Sequence, residues 1–499
     1  MTLDTGYTDN FFRELSPVWL NYVAAVNGHA PRDLSRPFTY LELGCGFGSS
    51  ALVNAAAFPL VELHACDLNP AHIEQGRRYA AELGTSNIEF HQASFEELLR
   101  CELPAFDFIV AHGVYSWVGA GERQTVRRIV REKLKPGGIV YLSYNCMPGW
   151  APEAPLRRLL AEIAGTASGD SQRRAAQALQ SVRDLGAAKL QYFTANPDSM
   201  AALESYAKRP ASYLPYEFLA ADWELFYSID VADEMADAGV AYAGSATLPD
   251  NHDSLIIDAA AAAAIAKLPG ARQRSLATDF AANRRFRRDV FIGTDVDAHA
   301  SRQRVDVGSI PVGYVGNPDF LSARVRVPRG QLSLQEDFIE EVRALVSRAS
   351  LPMRDLVDAL AAKGGARAEI VRNLLYLVAA GTLTPFAVAR DSGAAASVRG
   401  FANARVERAV RHIIERRTRG AIASEILGNG VEIAPLEAMA VVEFLAGAQE
   451  TGSLSMRLEE GIRRLELDGS ADPGVQARAS AEQAVRNLIP GLMRLHLLV

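Results

Sequence analysis

An apolar strand that runs straight into three alternating glycines limits what this chain can fold into more than any other feature of it. The stretch is Tyr40-Leu41-Glu42-Leu43-Gly44-Cys45-Gly46-Phe47-Gly48. Glycines so placed allow a sharp turn and let a ligand lie against bare main chain. The spacing is Gly-x-Gly-x-Gly followed by Ser49, not the Gly-x-Gly-x-x-Gly of dinucleotide-binding enzymes. It suits a nucleoside ligand without a pyrophosphate and argues against an NAD-dependent oxidoreductase. Glu42 closes the strand, two residues before the first glycine.

The residues that follow alternate in type. A helix is predicted over 49–58, stopped by Pro59. A short strand over 61–65 ends at Cys66-Asp67. A carboxylate at that tip can accept hydrogen bonds from both ribose hydroxyls. Asn69-Pro70 opens the next helix as a cap followed by proline, and Gly84 ends it. A third strand is predicted over 88–93. Ser94-Phe95-Glu96-Glu97 then reads as a capping box. A fourth strand covers 106–111, and a helix over 122–134 carries Val126, Ile129, Val130 and Leu134 at helical spacing. Lys135-Pro136-Gly137-Gly138 reads as a turn into a fifth strand over 139–144. This alternation predicts an α/β fold with a Rossmann-like, doubly wound parallel sheet. Ligands of such sheets sit beyond the carboxyl ends of the strands. Two aromatic loops meet there, Ala111-His112-Gly113-Val114-Tyr115-Ser116-Trp117-Val118 and Ser143-Tyr144-Asn145-Cys146-Met147-Pro148-Gly149-Trp150. Aromatic faces attract a sulfonium or an alkylated ammonium. The same aromatics also serve as loop anchors packed on a core.

The glycine loop resembles motif I of class I S-adenosylmethionine (SAM) methyltransferases. The two aromatic loops, with Leu134-Lys135-Pro136-Gly137-Gly138 between them, resemble bacterial methyltransferases that carry a methyltransferase regulatory domain. That family includes rickettsial protein lysine methyltransferases acting on outer-membrane protein. The resemblance continues through Tyr213-Leu214-Pro215-Tyr216-Glu217-Phe218-Leu219, Trp223 to Tyr227, Ala238-Gly239-Val240, Gly244-Ser245-Ala246 and Phe286-Arg287-Arg288-Asp289-Val290-Phe291. Tyr216 departs from the family, whose members often have His there. The resemblance implies SAM as cofactor. Its expected contacts are Glu42, Gly44, Gly46, Gly48, Asp67, Leu68, Ala93, Ser94, Phe95 and His112, with Tyr7 from an N-terminal lid. His112, Tyr115, Trp117, Tyr144 and Asn145 are the expected catalytic group, orienting an amine or accepting its proton. No Asn/Asp-Pro-Pro-Tyr follows the fourth strand, which argues against amide or adenine acceptors.

The remaining chain divides by composition. Residues 1–150 form the SAM-binding core. Residues 151–295 are a helical insertion and regulatory domain, with strands near 239–245 and 289–293 to complete the sheet. Residues 296–395 open on a Gly-, Pro- and Asp-rich linker and resemble a winged-helix arrangement suited to protein contacts. Residues 396–499 are a mostly α-helical C-terminal domain. Two basic clusters stand out, Arg284-Arg285-Phe286-Arg287-Arg288 and the arginines at 405, 408, 411, 416, 417 and 419. Each reads as a solvated face or as a docking site, for phosphate or RNA in the first case and an acidic partner in the second.

The 499-residue chain has a net charge of -7, which argues against a broad nucleic-acid footprint. No apolar run approaches the roughly 20 residues of a membrane span. The polar N-terminus is unlike a signal peptide, which places the protein in the cytoplasm. The four cysteines read as small buried residues with no zinc spacing and no metal role. The leading expectation is therefore a SAM-dependent methyltransferase acting on protein side chains, lysine favoured, with a homodimer plausible. A small-molecule or glycan methyltransferase is the alternative, and a SAM-binding regulator without turnover is a third reading.

Overall fold

The computed structural model describes residues 9–209, 214–215, 219–220, 222–294, 307–391, 399–465 and 472–499. At its centre is a seven-stranded sheet of order β3-β2-β1-β4-β5-β7-β6. The strands are β1 (Phe38–Leu43), β2 (Val61–Asp67), β3 (Ile88–Gln92), β4 (Phe106–Ala111), β5 (Leu134–Asn145), β6 (Val240–Ser245) and β7 (Phe286–Gly293). The first five pair in parallel, and β7 runs antiparallel between β5 and β6. The order reverses between β1 and β4, where a doubly wound sheet opens its crevice. β1 is buried along its whole length, as a central parallel strand must be.

Each face of the sheet has its own apolar layer. Tyr40, Phe108, Tyr141 and Val290 face helices α1 (Pro17–Val26), α2 (Ser49–Ala57) and α3 (Pro70–Leu83). Leu41, Leu43, Val140 and Phe291 face α4 (Phe95–Arg100), α5 (Ala120–Lys133) and the helix Ser228–Ala236. The predicted turn at 135–138 lies inside β5. Phe106 pairs with Leu134 and Phe108 with Ile139, so the extra residues bulge out of the ladder. Gly137 takes φ +66°, and Lys135 Nζ anchors the bulge on Asp107 Oδ2 at 2.6 Å.

The insertion packs helices Ala154–Thr166, Ser171–Ala187, Gln191–Ala195 and Asp198–Ala207 around Leu156, Leu160, Leu179, Val182 and Leu203. Helices Met353–Ala361 and Arg367–Ala379 sit beside a small sheet. Their apolar side chains join the layer on the α1 face of the main sheet. The C-terminal helices Ala404–Arg416, Pro435–Leu445, Thr451–Leu465 and Pro473–Gln483 enclose a separate core and carry one β-hairpin, Gly420–Ser424 with Asn429–Ile433.

Three expectations change. Cys66 and Cys146 are buried, but Cys45 is only half-buried and Cys101 is exposed, since it lies just past the end of α4. The first basic cluster is consumed inside the protein. Arg284 pairs with Asp250, Arg285 with Glu153, and Arg287 with Asp279 and Asp289. The second is largely a docking face, though for the chain's own core. Arg405 donates to the carbonyls of Ala56 and Gly84, and Arg408 to that of Leu83. These carbonyls lie at the ends of α2 and α3, where cations are favoured.

Candidate active site

A cavity of about 370 Å³ opens at the carboxyl ends of β1, β2, β3 and β4. Ten of the residues expected there line it: Glu42, Gly44, Gly46, Asp67, Leu68, Ala93, Ser94, Phe95, His112 and Trp117. Gly44 and Gly46 have φ of +69° and +55°, which brings bare main chain to the cavity floor. A Cβ at Gly44 would stand 2.4 Å from Val114 Cγ2. Gly48 is outside the lining. It caps α2 in a left-handed conformation, and a Cβ there would strike the ring of Phe90. Tyr7 lies outside the described residues, as does Tyr216.

Two carboxylates define the cavity chemically. Asp67 Oδ2 accepts from Gly46 N at 2.9 Å and Oδ1 from Asn69 N at 2.9 Å, which fixes the side chain and leaves lone pairs for a ligand. Glu42 is 5% exposed, and its Oε2 has no hydrogen-bond partner among the described residues. Burial, and then the charge of Asp67, push its carboxyl up to about 8. An orphaned buried carboxylate oxygen beside a glycine cradle fits the ammonium of an amino-acid-bearing nucleoside.

His112 and Trp117, both from the segment that follows β4, line the same cavity. His112 Nδ1 lies 2.7 Å from Tyr141 Oη, and its ring packs on Phe12 at 3.8 Å between centroids. Burial, and then the positive charge of Arg288, lower the imidazole to about 3, so it is neutral at physiological pH. Tyr115, Tyr144 and Asn145 are not in the lining. Tyr115 is fully buried and hydrogen-bonds Glu234, with Arg127 Nη1 at 3.0 Å. Tyr144 donates to Asp289 Oδ2 at 2.5 Å. Asn145 donates its backbone N–H to Ser116 Oγ, and its buried Nδ2 has no partner among the described residues.

The sequence reading missed part of the lining. Asp9, Asn10 and Phe12 come from an N-terminal strap, Ser49 and Ser50 from the start of α2, His72 from α3, and Glu122 from α5. His72 Nδ1 sits 3.3 Å from Asp67 Oδ1, one helical turn beyond the strand tip, a spacing that a closer reading of the Asp67 turn could have used. The strap carries no motif. Away from the cavity, His64, Glu89 and His91 come within metal-ligand reach of one another. The two rings meet at 2.9 Å between nitrogens, with centroids 5.1 Å apart and planes within 17°. That head-on alignment is the geometry of one shared N–H···N bond, whereas a metal needs the two lone pairs to converge at an angle.

Comparison with known proteins agrees with this geometry. Residues 41–140 match the model of a methyltransferase domain, and residues 210–292 that of a predicted methyltransferase regulatory domain. The protein sll1526 of Synechocystis is 31% identical over 383 residues, which is 77% of this chain and 76% of that protein. The chain belongs to the methyltransferases that carry this regulatory domain. PKMT2 from Rickettsia typhi superposes with a TM-score of 0.68 at 17% identity, covering 99% of this chain and 100% of that one. The same protein in complex with AdoHcy gives 0.68 at 18% identity. Malonyl-[acyl-carrier protein] O-methyltransferase of Anoxybacillus flavithermus is 29% identical over 114 residues, 23% of this chain. The chain is thus a SAM-dependent methyltransferase, and SAM is its cofactor. No helix among its described residues is long and apolar enough to cross a membrane.

Proposed function

We propose that this methyltransferase modifies protein side chains, with lysine the favoured acceptor. The observation that carries the reading is a neutral His112 in the lining, bonded to the buried Tyr141 behind it and packed on Phe12, with the carboxylate of Glu122 in the same cavity. Glu122 lines the cavity, and its Oε2 and Asp222 Oδ1 lie 2.8 Å and 3.6 Å from the position of a Cβ on Gly119. Carboxylates at the mouth attract a lysine ammonium, and a dry neutral wall favours the uncharged amine that must attack. The fold-level likeness to PKMT2 over the whole chain supports a protein acceptor.

SAM supplies a methyl group already activated on a sulfonium, so the protein's work is alignment and exclusion of water. In this reading Glu42 pairs with the cofactor's ammonium, and Asp67 holds its ribose hydroxyls. Leu68, Ala93, Ser94 and Phe95 wall the adenine. Trp117 and Phe12, the further aromatic members of the lining, would favour the cofactor's sulfonium charge. His112 orients the amine as a neutral hydrogen-bonding partner, because a ring lowered to about 3 is a poor base at neutral pH. The acceptor proton would leave to solvent through the open mouth of the cavity before the amine attacks. Tyr115 and Tyr144, bonded to the half-exposed Glu234 and the buried Asp289, hold the segment after β4 and the end of β5 in place.

The test is transfer from isotopically labelled SAM into lysate of the native host, with the wild type and an Asp67→Ala variant. Labelled protein bands that vanish with the variant support the reading, and mass spectrometry then gives the residue. Label confined to small molecules or glycans replaces it with the alternative acceptor class. Cofactor binding without label in any fraction would leave a SAM-binding regulator.

A further inference from the structure

We infer that Arg416, in the C-terminal domain, is a positioning residue for the cofactor site, acting through the N-terminal strap. Asp9, Asn10 and Phe12 wall the cavity, yet the strap has little structure of its own beyond one short 3-10 turn, Arg13–Leu15. Its position comes from two sides. On the inner side Ser49 Oγ donates to Asp9 Oδ1, and Phe12 N donates to Ser50 Oγ at 2.9 Å. On the outer side the C-terminal domain closes on it. Arg416 Nη1 donates to Asp9 Oδ2 at 2.5 Å. The guanidinium sits 4.9 Å from the centroid of Tyr79 on α3, which aims it at the strap.

The hairpin of the same domain adds three contacts. Asn429 Nδ2 donates to the carbonyl of Arg13 at 3.0 Å, and Ser16 Oγ to that of Gly428 at 2.5 Å. A Cβ on Gly430 would stand 2.7 Å from Phe11 Cζ, so the strap runs directly against the hairpin backbone. Asp9 is therefore bonded by its two oxygens to Ser49, next to the glycine loop, and to Arg416. The side chains of the Asp9–Arg416 pair are 13% and 28% exposed, so water screens the pair only partly. Arg416 thus fixes where Phe12 and Asp9 stand relative to the bound cofactor. Conversely, cofactor binding tightens the docking of the C-terminal domain, because coupling of this kind is reciprocal.

The experiment is calorimetric titration of the full chain with S-adenosylhomocysteine, for the wild type, Asp9→Asn, Arg416→Ala, Arg416→Lys and the Asp9→Asn/Arg416→Ala double variant. Each of Asp9→Asn and Arg416→Ala is expected to weaken binding on the order of tenfold, with the unliganded melting temperature nearly unchanged. The double variant should lose no more than the worse single one, and Arg416→Lys should recover most of the affinity. In steady state the KM for SAM should rise while kcat holds or increases through faster product release. Binding within twofold of wild type in both folded singles overturns the proposal, as do losses that simply add. If Arg416→Ala does not fold, Arg416→Gln, which keeps a polar side chain and removes the charge without touching the cavity lining, decides by the same criterion.

Discussion

The cavity has two walls made in opposite ways. The inner wall, from Glu42 through Phe47 with Asp67, Leu68 and the 93–95 turn, is built at the tips of neighbouring strands by residues close in sequence. The outer wall is the strap at 9–12, held on its inner side by Ser49 and Ser50 and on its outer side by partners far along the chain. Asp9 and Arg416 are 407 residues apart, and Arg13 and Asn429 are 416 apart. A wall of the first kind is fixed once the sheet forms. The second is fixed only when the C-terminal domain has docked. Substitutions in the inner wall should therefore damage binding itself, while those in the outer wall should adjust it.

The largest effect is expected from Asp67→Ala. It removes the proposed ribose partner and also frees Gly46 N–H, so SAM affinity measured by calorimetry should fall by about 100-fold or more. Gly44→Ala should come close to it, because a left-handed backbone and a clash with Val114 combine. Adding Val114→Ala should restore part of the affinity, since it relieves the clash and leaves the strained φ. No recovery would mean that the turn, not the packing, fails.

Glu42 sharpens the comparison through pH. Its folded carboxyl is raised to about 8, above the ordinary range near 4.3. The unliganded protein therefore keeps a proton there that the unfolded chain releases. This group favours folding at low pH, and the contribution is lost as pH rises through about 8. Pairing with the cofactor's ammonium would drive that proton off, so binding near neutral pH should release a proton to the buffer. Titrations in two buffers of different ionisation enthalpy measure this directly. Glu42→Gln should abolish the difference and weaken binding by about tenfold.

The same contrast explains what the sequence disclosed. The glycine loop, Asp67 and the capping box at Ser94 each depend on a few adjacent residues, so their spacing carries the geometry. The strands β6 and β7 were legible through the resemblance, and they close the sheet as expected. The roles of Tyr115 and Tyr144 were not, because an aromatic at a strand end or in a loop looks alike whether it faces a ligand or a carboxylate of the chain itself. The carboxylates that claim their hydroxyls, Glu234 and Asp289, lie 119 and 145 residues away. The arginines near 405 looked like a surface charge run because the helix ends they cap belong to another part of the chain. An N-terminal lid was expected, but Asp9, Asn10 and Phe12 were not named for the same reason, as their partners are tertiary.

The smallest expected effect separates two meanings of docking. Arg405 reaches the carbonyls of Ala56 and Gly84 at 3.4 Å each, long contacts at helix ends that involve no cavity residue. Arg405→Ala should cost stability of about 0.5–1 kcal/mol, an effect that shrinks with added salt, and leave S-adenosylhomocysteine affinity at the wild-type value. Gly430→Ala, which presses on Phe11 of the strap, should weaken that affinity by a few-fold with a similar loss of stability. Both substitutions loosen the same domain interface, but only the second moves the outer wall. If Arg405→Ala weakened the ligand as much as Gly430→Ala does, the cofactor site would be sensing domain docking as a whole. The distinction between strap contacts and the rest of the interface would then collapse into a single cooperative unit.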